Sequence, residues 1–215
     1  MLKYVTKLGL DPSSATFSDV FSFDPEMAAF VPHPVYSVML LFPIGEKNGY
    51  LETRHKNDGQ IENENMNQNL PWFTLQTVSN ACGAIGVIHS IMNNLNNVKI
   101  VENSWFSKFA TKTANLTQIE RAATIYNDSE LFTLHEEAAN KSDIPIPDNV
   151  DTHFVTFTQV DGKLWELDGR KPRPICHGDV KDLLLDTLEV IQKEFLPHVS
   201  DPLKITMTAL TACPQ

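Results

Sequence analysis

The chain has 215 residues, 42% of them hydrophobic and 20% charged, and its 27 acids against 17 bases leave a net charge of −10 with neutral histidines. At about 150 residues per domain this length suggests one domain with enough chain to bury a substantial core. No apolar run is long enough for a transmembrane helix, no clustered basic face suits nucleic acid, and the glycines and prolines show no collagen-like period.

The opening Met1-Leu2-Lys3-Tyr4-Val5-Thr6-Lys7 lacks the apolar core of a secretory leader, so a cytosolic or nuclear setting is expected. Residues 36–43 (YSVMLLFP) form a nearly continuous apolar run and read as a central strand buried on both faces. Residues 46–69 are polar, with Asn48-Gly49 and Asp58-Gly59 turn signals, and read as a loop. From Ala81 to Leu95, apolar residues at 85, 88, 91, 92 and 95 keep helical spacing. A second helix is expected over 117–132, opening with the capping-box pattern Thr117-Gln118-Ile119-Glu120. Residues 136–149, with two prolines and few large apolar side chains, read as a loop or linker.

Residues 153–160 and 163–168 flank Asp161-Gly162, a hairpin signal. An amphipathic helix follows over 179–195, with Asp179 as its N-cap and Pro197 beyond its end, and 204–210 (KITMTAL) reads as a last strand. One α+β domain spanning 1–215 fits this order.

Three cysteines, Cys82, Cys176 and Cys213, are an odd number without a CxxC pair, so neither a disulfide framework nor a zinc set is expected, and no metal or cofactor is called for. Cys82 directly precedes the helical period of its segment. A thiol there meets the positive end of a helix dipole and unpaired backbone N–H groups, which favour the thiolate. Gly83 leaves room for an attacked carbonyl, and the amide of Gln76 can join the Cys82 N–H as a second oxyanion donor.

The hairpin supplies partners. A two-residue turn at Asp161-Gly162 pairs Val160 with Lys163, puts Asp168 opposite Val155 and Arg170 opposite His153, and sends His153, Val155, Asp168 and Arg170 to one face. His153 and Asp168 are then diagonal neighbours about 7–8 Å apart at the backbone, within reach of an imidazole–carboxylate hydrogen bond. Cys176 and His177 are adjacent on an extended chain and point to opposite faces, a poor arrangement for proton transfer. His89 lies one residue off the helical stripe and reads as a packing histidine.

The segment Gln76-Thr77-Val78-Ser79-Asn80-Ala81-Cys82-Gly83 resembles the nucleophile segment of the ubiquitin carboxyl-terminal hydrolases. His153-Phe154-Val155, Val160-Asp161-Gly162 and Glu166-Leu167-Asp168-Gly169-Arg170 are similar to that family's histidine and aspartate segment, and Lys7-Leu8-Gly9-Leu10, Pro32-His33-Pro34-Val35, Leu41-Phe42-Pro43-Ile44 and Met207-Thr208-Ala209-Leu210 extend the likeness along the chain. The resemblance implies a papain-like cysteine hydrolase fold: a mainly antiparallel sheet between helices, with a knotted backbone. It also implies cleavage after the C-terminal glycine of ubiquitin through a thioester, releasing small adducts or short peptides. Cys82 would be the nucleophile, His153 the general base and acid, Asp168 the residue that orients His153, and Gln76 the oxyanion donor. Residues 136–149 would be the family's crossover loop. A monomer of the short, free-standing type is expected, without the N-terminal Trp-x-Pro-Leu-Glu-like stretch usual in the family. Ubiquitin or a related ubiquitin-like modifier would be the partner. A ubiquitin-binding protein with little turnover has the same fold signals, but has no need of all four site residues.

Overall fold

A computed structural model describes residues 1–44, 70–78, 80–139 and 152–213. Six strands form one antiparallel sheet in the order β1-β6-β2-β3-β4-β5: β1 (Ala15–Val20), β2 (Val35–Pro43), β3 (Thr152–Val160), β4 (Lys163–Leu167), β5 (Ile175–Asp179) and β6 (Thr206–Ala212). The apolar run at 36–43 is β2, flanked by β6 and β3 as its two-sided burial requires. Seven α-helices accompany the sheet among the described residues: α1 (Leu2–Leu8), α2 (Pro25–Ala28), α3 (Cys82–Met92), α4 (Trp105–Thr113), α5 (Gln118–Tyr126), α6 (Ser129–Ala139) and α7 (Leu183–Glu194).

The sheet has an apolar cluster on each face. On one, Val38, Leu40, Phe42, Val155, Phe157 and Leu164 meet Leu184, Leu188 and Ile191 of α7. Phe195, just past α7, closes that layer edge-to-face on Phe42 and Phe157, with centroids 5.1 and 5.8 Å away. On the other face, Ile85, Ile88 and Ile91 of α3 join Met39 and the aromatic side chains of α4. The α3 helix lies against β3 and β2.

The last strand lies at 206–212 rather than 204–210, and three boundaries differ further from the sequence reading. The helix expected over 117–132 is two helices, because the first ends at its C-cap Asn127 and Asp128 caps the next: Asp128 Oδ1 accepts the Leu131 N–H at 2.8 Å and its Oδ2 the Trp105 indole N–H at 3.0 Å. Thr117 does form the capping box with Glu120. The α7 helix starts later than expected: Asp182, not Asp179, is its N-cap, accepting from the Leu185 N–H at 2.9 Å, while Asp179 ends β5. Residues 136–139, expected in a loop, continue α6, which sits on α1 through the Tyr4–His135 ring contact and the Lys7–Glu137 ion pair. The rest of that expected loop, 140–149, and the whole of the expected loop over 46–69 lie outside the described residues.

Candidate active site

The β3–β4 hairpin turns through Asp161 (φ 52°) and Gly162 (φ 73°), the pair of positive angles that a two-residue type I′ turn requires. Its ladder runs from Val160↔Lys163 to Thr156↔Leu167, the register worked out from the sequence. His153 enters at the start of β3, opposite Phe42 of β2, and Asp168 follows the last residue of β4.

The side chains meet as that register demands. His153 Nε2 lies 2.6 Å from Asp168 Oδ1, with both residues buried. The same Asp168 oxygen accepts the Arg170 N–H at 2.9 Å, and the Asp168 carbonyl accepts the Lys171 N–H at 2.9 Å. The carboxylate is therefore fixed by its own turn as well as by the imidazole. Burial pushes the Asp168 carboxyl up, but the His153 hydrogen bond and charge and the Arg170 N–H outweigh it and hold the group below its ordinary value. Burial likewise pulls His153 down. The Asp168 hydrogen bond, the Cys82 thiol and the Asp168 charge reverse this and leave the imidazole above its ordinary value.

Cys82 is the first residue of α3 and is half-buried. The N-cap position, Ala81, offers no side-chain hydrogen bond, so the first-turn N–H groups have no capping side chain there. Burial raises the thiol, but His153, the Phe154 N–H and the Arg170 charge bring it below its ordinary value. His153 Nδ1 is buried and makes no hydrogen bond of normal geometry, leaving that nitrogen for proton exchange with the thiol.

Two glycines let α3 lie this close to β3, at about 1 kcal/mol each in helix propensity. A Cβ on Gly83 would stand 3.3 Å from the Phe154 ring, and one on Gly86 2.9 Å from Met39 Cε. The space expected at Gly83 for an attacked carbonyl is thus partly filled by Phe154. Thr156 Oγ1 donates to the Gly86 carbonyl at 2.9 Å and ties helix to strand.

Gln76 is held beside the same turn: its N–H donates to the Gly169 carbonyl at 2.8 Å. Its side-chain Nε2 donates to the Val78 carbonyl at 3.1 Å, and its buried Oε1 has no partner. The 70–78 segment is pinned to α3 by His89, stacked on Phe73 with centroids 5.1 Å apart and bonded through Nε2 to the Thr74 main chain. Burial drives His89 down to about 4, so it is neutral at physiological pH. Cys176 packs beside Phe73, Trp165 and Leu167, whereas His177 turns to Glu166, and Cys213 donates to the Pro12 carbonyl. None of these three joins Cys82.

Sequence reasoning put Arg170 on the face of His153 and Asp168 but gave it no role; its main chain holds Asp168 and its charge acts on both Cys82 and His153. Nor did it find the buried Glu166, which lies two residues before Asp168 and is bonded by Lys171 and His177. A charged residue at a core-facing strand position was the available signal.

Comparison with known proteins places these features in context. A family model described as "Ubiquitin carboxyl-terminal hydrolase, family 1" matches residues 1–196. Ubiquitin carboxyl-terminal hydrolase 3 of Arabidopsis thaliana is 40% identical over 195 residues, covering 90% of this chain and 82% of that protein. Ubiquitin carboxyl-terminal hydrolase isozyme L1 of Rattus norvegicus is 30% identical over 209 residues, covering 97% and 92%. The solved catalytic domain of Trichinella spiralis UCH37, bound to ubiquitin vinyl methyl ester, superposes with a TM-score of 0.74 at 17% identity, covering 98% of this chain and 90% of that one. This last likeness is one of fold.

Proposed function

The chain belongs to family 1 of the ubiquitin carboxyl-terminal hydrolases, and from that premise we propose that it is a cysteine deubiquitinase releasing small adducts or short peptides from the C-terminal glycine of ubiquitin. The observation that carries the reading is the buried His153–Asp168 pair at 2.6 Å, beside a thiol of lowered pKa at the start of α3.

In this mechanism Asp168 fixes the imidazole through Nε2 and stabilises its protonated form. Nδ1 takes the Cys82 proton, and the thiolate attacks the glycine carbonyl carbon. The oxyanion is held by the Cys82 N–H and by the Gln76 amide, whose nitrogen has a second hydrogen besides the one directed at Val78. The bond to the adduct then breaks as His153 returns the proton to the departing nitrogen or oxygen. A water, deprotonated by His153, attacks the thioester and expels the thiolate, restoring the site. The single sheet shared by both apolar clusters supports one catalytic domain over 1–215, and we read it as acting in the cytosol or nucleus as a monomer.

The test is turnover of a fluorogenic ubiquitin C-terminal amide alongside the same reporter on another ubiquitin-like protein. The proposal expects faster release from ubiquitin. Preference for the other modifier would reassign the substrate, and tight ubiquitin binding without turnover would make the protein a binder.

A further inference from the structure

Asp168 is not the only carboxylate buried at this end of the sheet. Glu166 is two residues earlier on the same strand path, so the two side chains share a face about 7 Å apart along the backbone. Glu166 is fully buried, and its charge opposes ionisation of Asp168. Two bases meet it: Lys171 Nζ at 3.1 Å from Oε1, itself only 3% exposed, and His177 Nε2 at 2.9 Å from Oε2. Lys171 is also the residue whose N–H closes the turn on the Asp168 carbonyl. One residue therefore contacts the main chain of Asp168 and the charge beside it.

We propose that Lys171 is a positioning residue of the active site: its buried ammonium offsets much of the Glu166 charge and so limits how far that carboxylate perturbs Asp168 and, through it, His153. The inference rests on the reading of Cys82, His153 and Asp168 as the reacting set. Among the described residues, the groups facing the cluster include His153 on β3, Asp168, Arg170 and Lys171 in the turn after β4, and His177 on β5. Beyond His177 a cavity of about 310 Å³ is lined by Asp179, Lys181, Asp186, Glu189, Lys193 and Glu194, which the variants below leave in place.

The experiment compares Lys171→Met, Glu166→Gln and the double variant, reading the pH profile of kcat/KM on a fluorogenic ubiquitin amide and the His153 titration midpoint by NMR. Lys171→Met leaves Glu166 less compensated. The added negative field raises both the thiol and the imidazole, so both limbs of the profile and the His153 midpoint move up by about half to one pH unit. On the acid limb this appears as a roughly 3–10-fold loss of activity. Glu166→Gln leaves the ammonium in excess and moves both readouts the opposite way. The double variant restores neutrality and returns them towards the starting values. Unchanged readouts, shifts of the same sign in both single variants, or a double variant that does not return would overturn the proposal. If the unmodified protein shows no turnover, the deubiquitinase reading fails, while the His153 midpoint still decides this one. If Lys171→Met does not fold, the direction of the Glu166→Gln shift and the return in the double variant decide it.

Discussion

His153 and Asp168 are 15 residues apart in sequence yet share a 2.6 Å hydrogen bond between two buried side chains. The hairpin turn makes this possible, because its two-residue length fixes which side chains share a face. The imidazole is raised and the Asp168 carboxyl and Cys82 thiol are lowered, which narrows the gap between thiol and imidazole and eases proton transfer from Cys82 to His153.

Asp168→Asn should therefore lower kcat/KM by about 10²–10⁴-fold, as expected when an orienting carboxylate is lost, and should move its acid limb downward in pH, because the negative charge that raises the imidazole is gone. Stability responds with a defined sign. The raised His153 contributes below its unfolded value of about 6.5 and loses that contribution as pH rises through its folded value. The lowered Asp168 contributes above about 3.9 and loses it as pH falls through its folded value. The melting-temperature gap between the unmodified protein and Asp168→Asn should thus be widest between about pH 4 and 6.5 and shrink on either side. A gap independent of pH would contradict the ion-pair account.

His89 works in the opposite sense. Its folded value is about 4, so protonation favours the unfolded chain, and stability should fall as pH drops below the ordinary imidazole value. The loss approaches about 3 kcal/mol near pH 4. His89→Gln, whose amide is uncharged at any pH, should flatten this acid slope in urea unfolding measured from pH 7 to 4.5. An unchanged slope would place the acid sensitivity elsewhere.

Much of the site was legible in the sequence because it depends on local rules. Turn length gave the hairpin register, and the apolar spacing after Ala81 put Cys82 at a helix start. The missing parts depend on tertiary contacts. The α1 and α4 helices were not foreseen, since their buried faces, such as Val5 and Leu8 or Phe106 and Phe109, acquire meaning only against α3. Asp128 broke a continuous helical pattern because Trp105, 23 residues earlier, holds one of its oxygens while the other caps α6. Residues 136–139 are short of large apolar side chains but stay helical through the contact of α6 with α1. The ion cluster at Glu166 was hidden by the same limit, because no local pattern announces which bases will reach a buried acid.

Gly169 offers a test of how tightly the Gln76 segment must sit. An added Cβ would lie 2.9 Å from Gln76 Cβ and 3.1 Å from both Gln76 N and Ile85 Cγ2. Gly169→Ala should cost about 1–3 kcal/mol by overpacking. It should also lower kcat more than it raises KM, because the displaced Gln76 amide acts on the oxyanion. Loss of stability with kcat intact would detach Gln76 from the oxyanion role.

The most direct test is covalent. Ubiquitin carrying a C-terminal electrophile is incubated with the protein, and the modified residue is mapped by peptide mass. The account predicts one adduct, on Cys82, with Cys176 and Cys213 untouched. Cys82→Ser should form no adduct and lose turnover by more than about 10³-fold, while ubiquitin binding stays nearly intact, because a serine hydroxyl ionises far less readily than a thiol. An adduct on Cys176 or Cys213, or none on the folded protein, would contradict it.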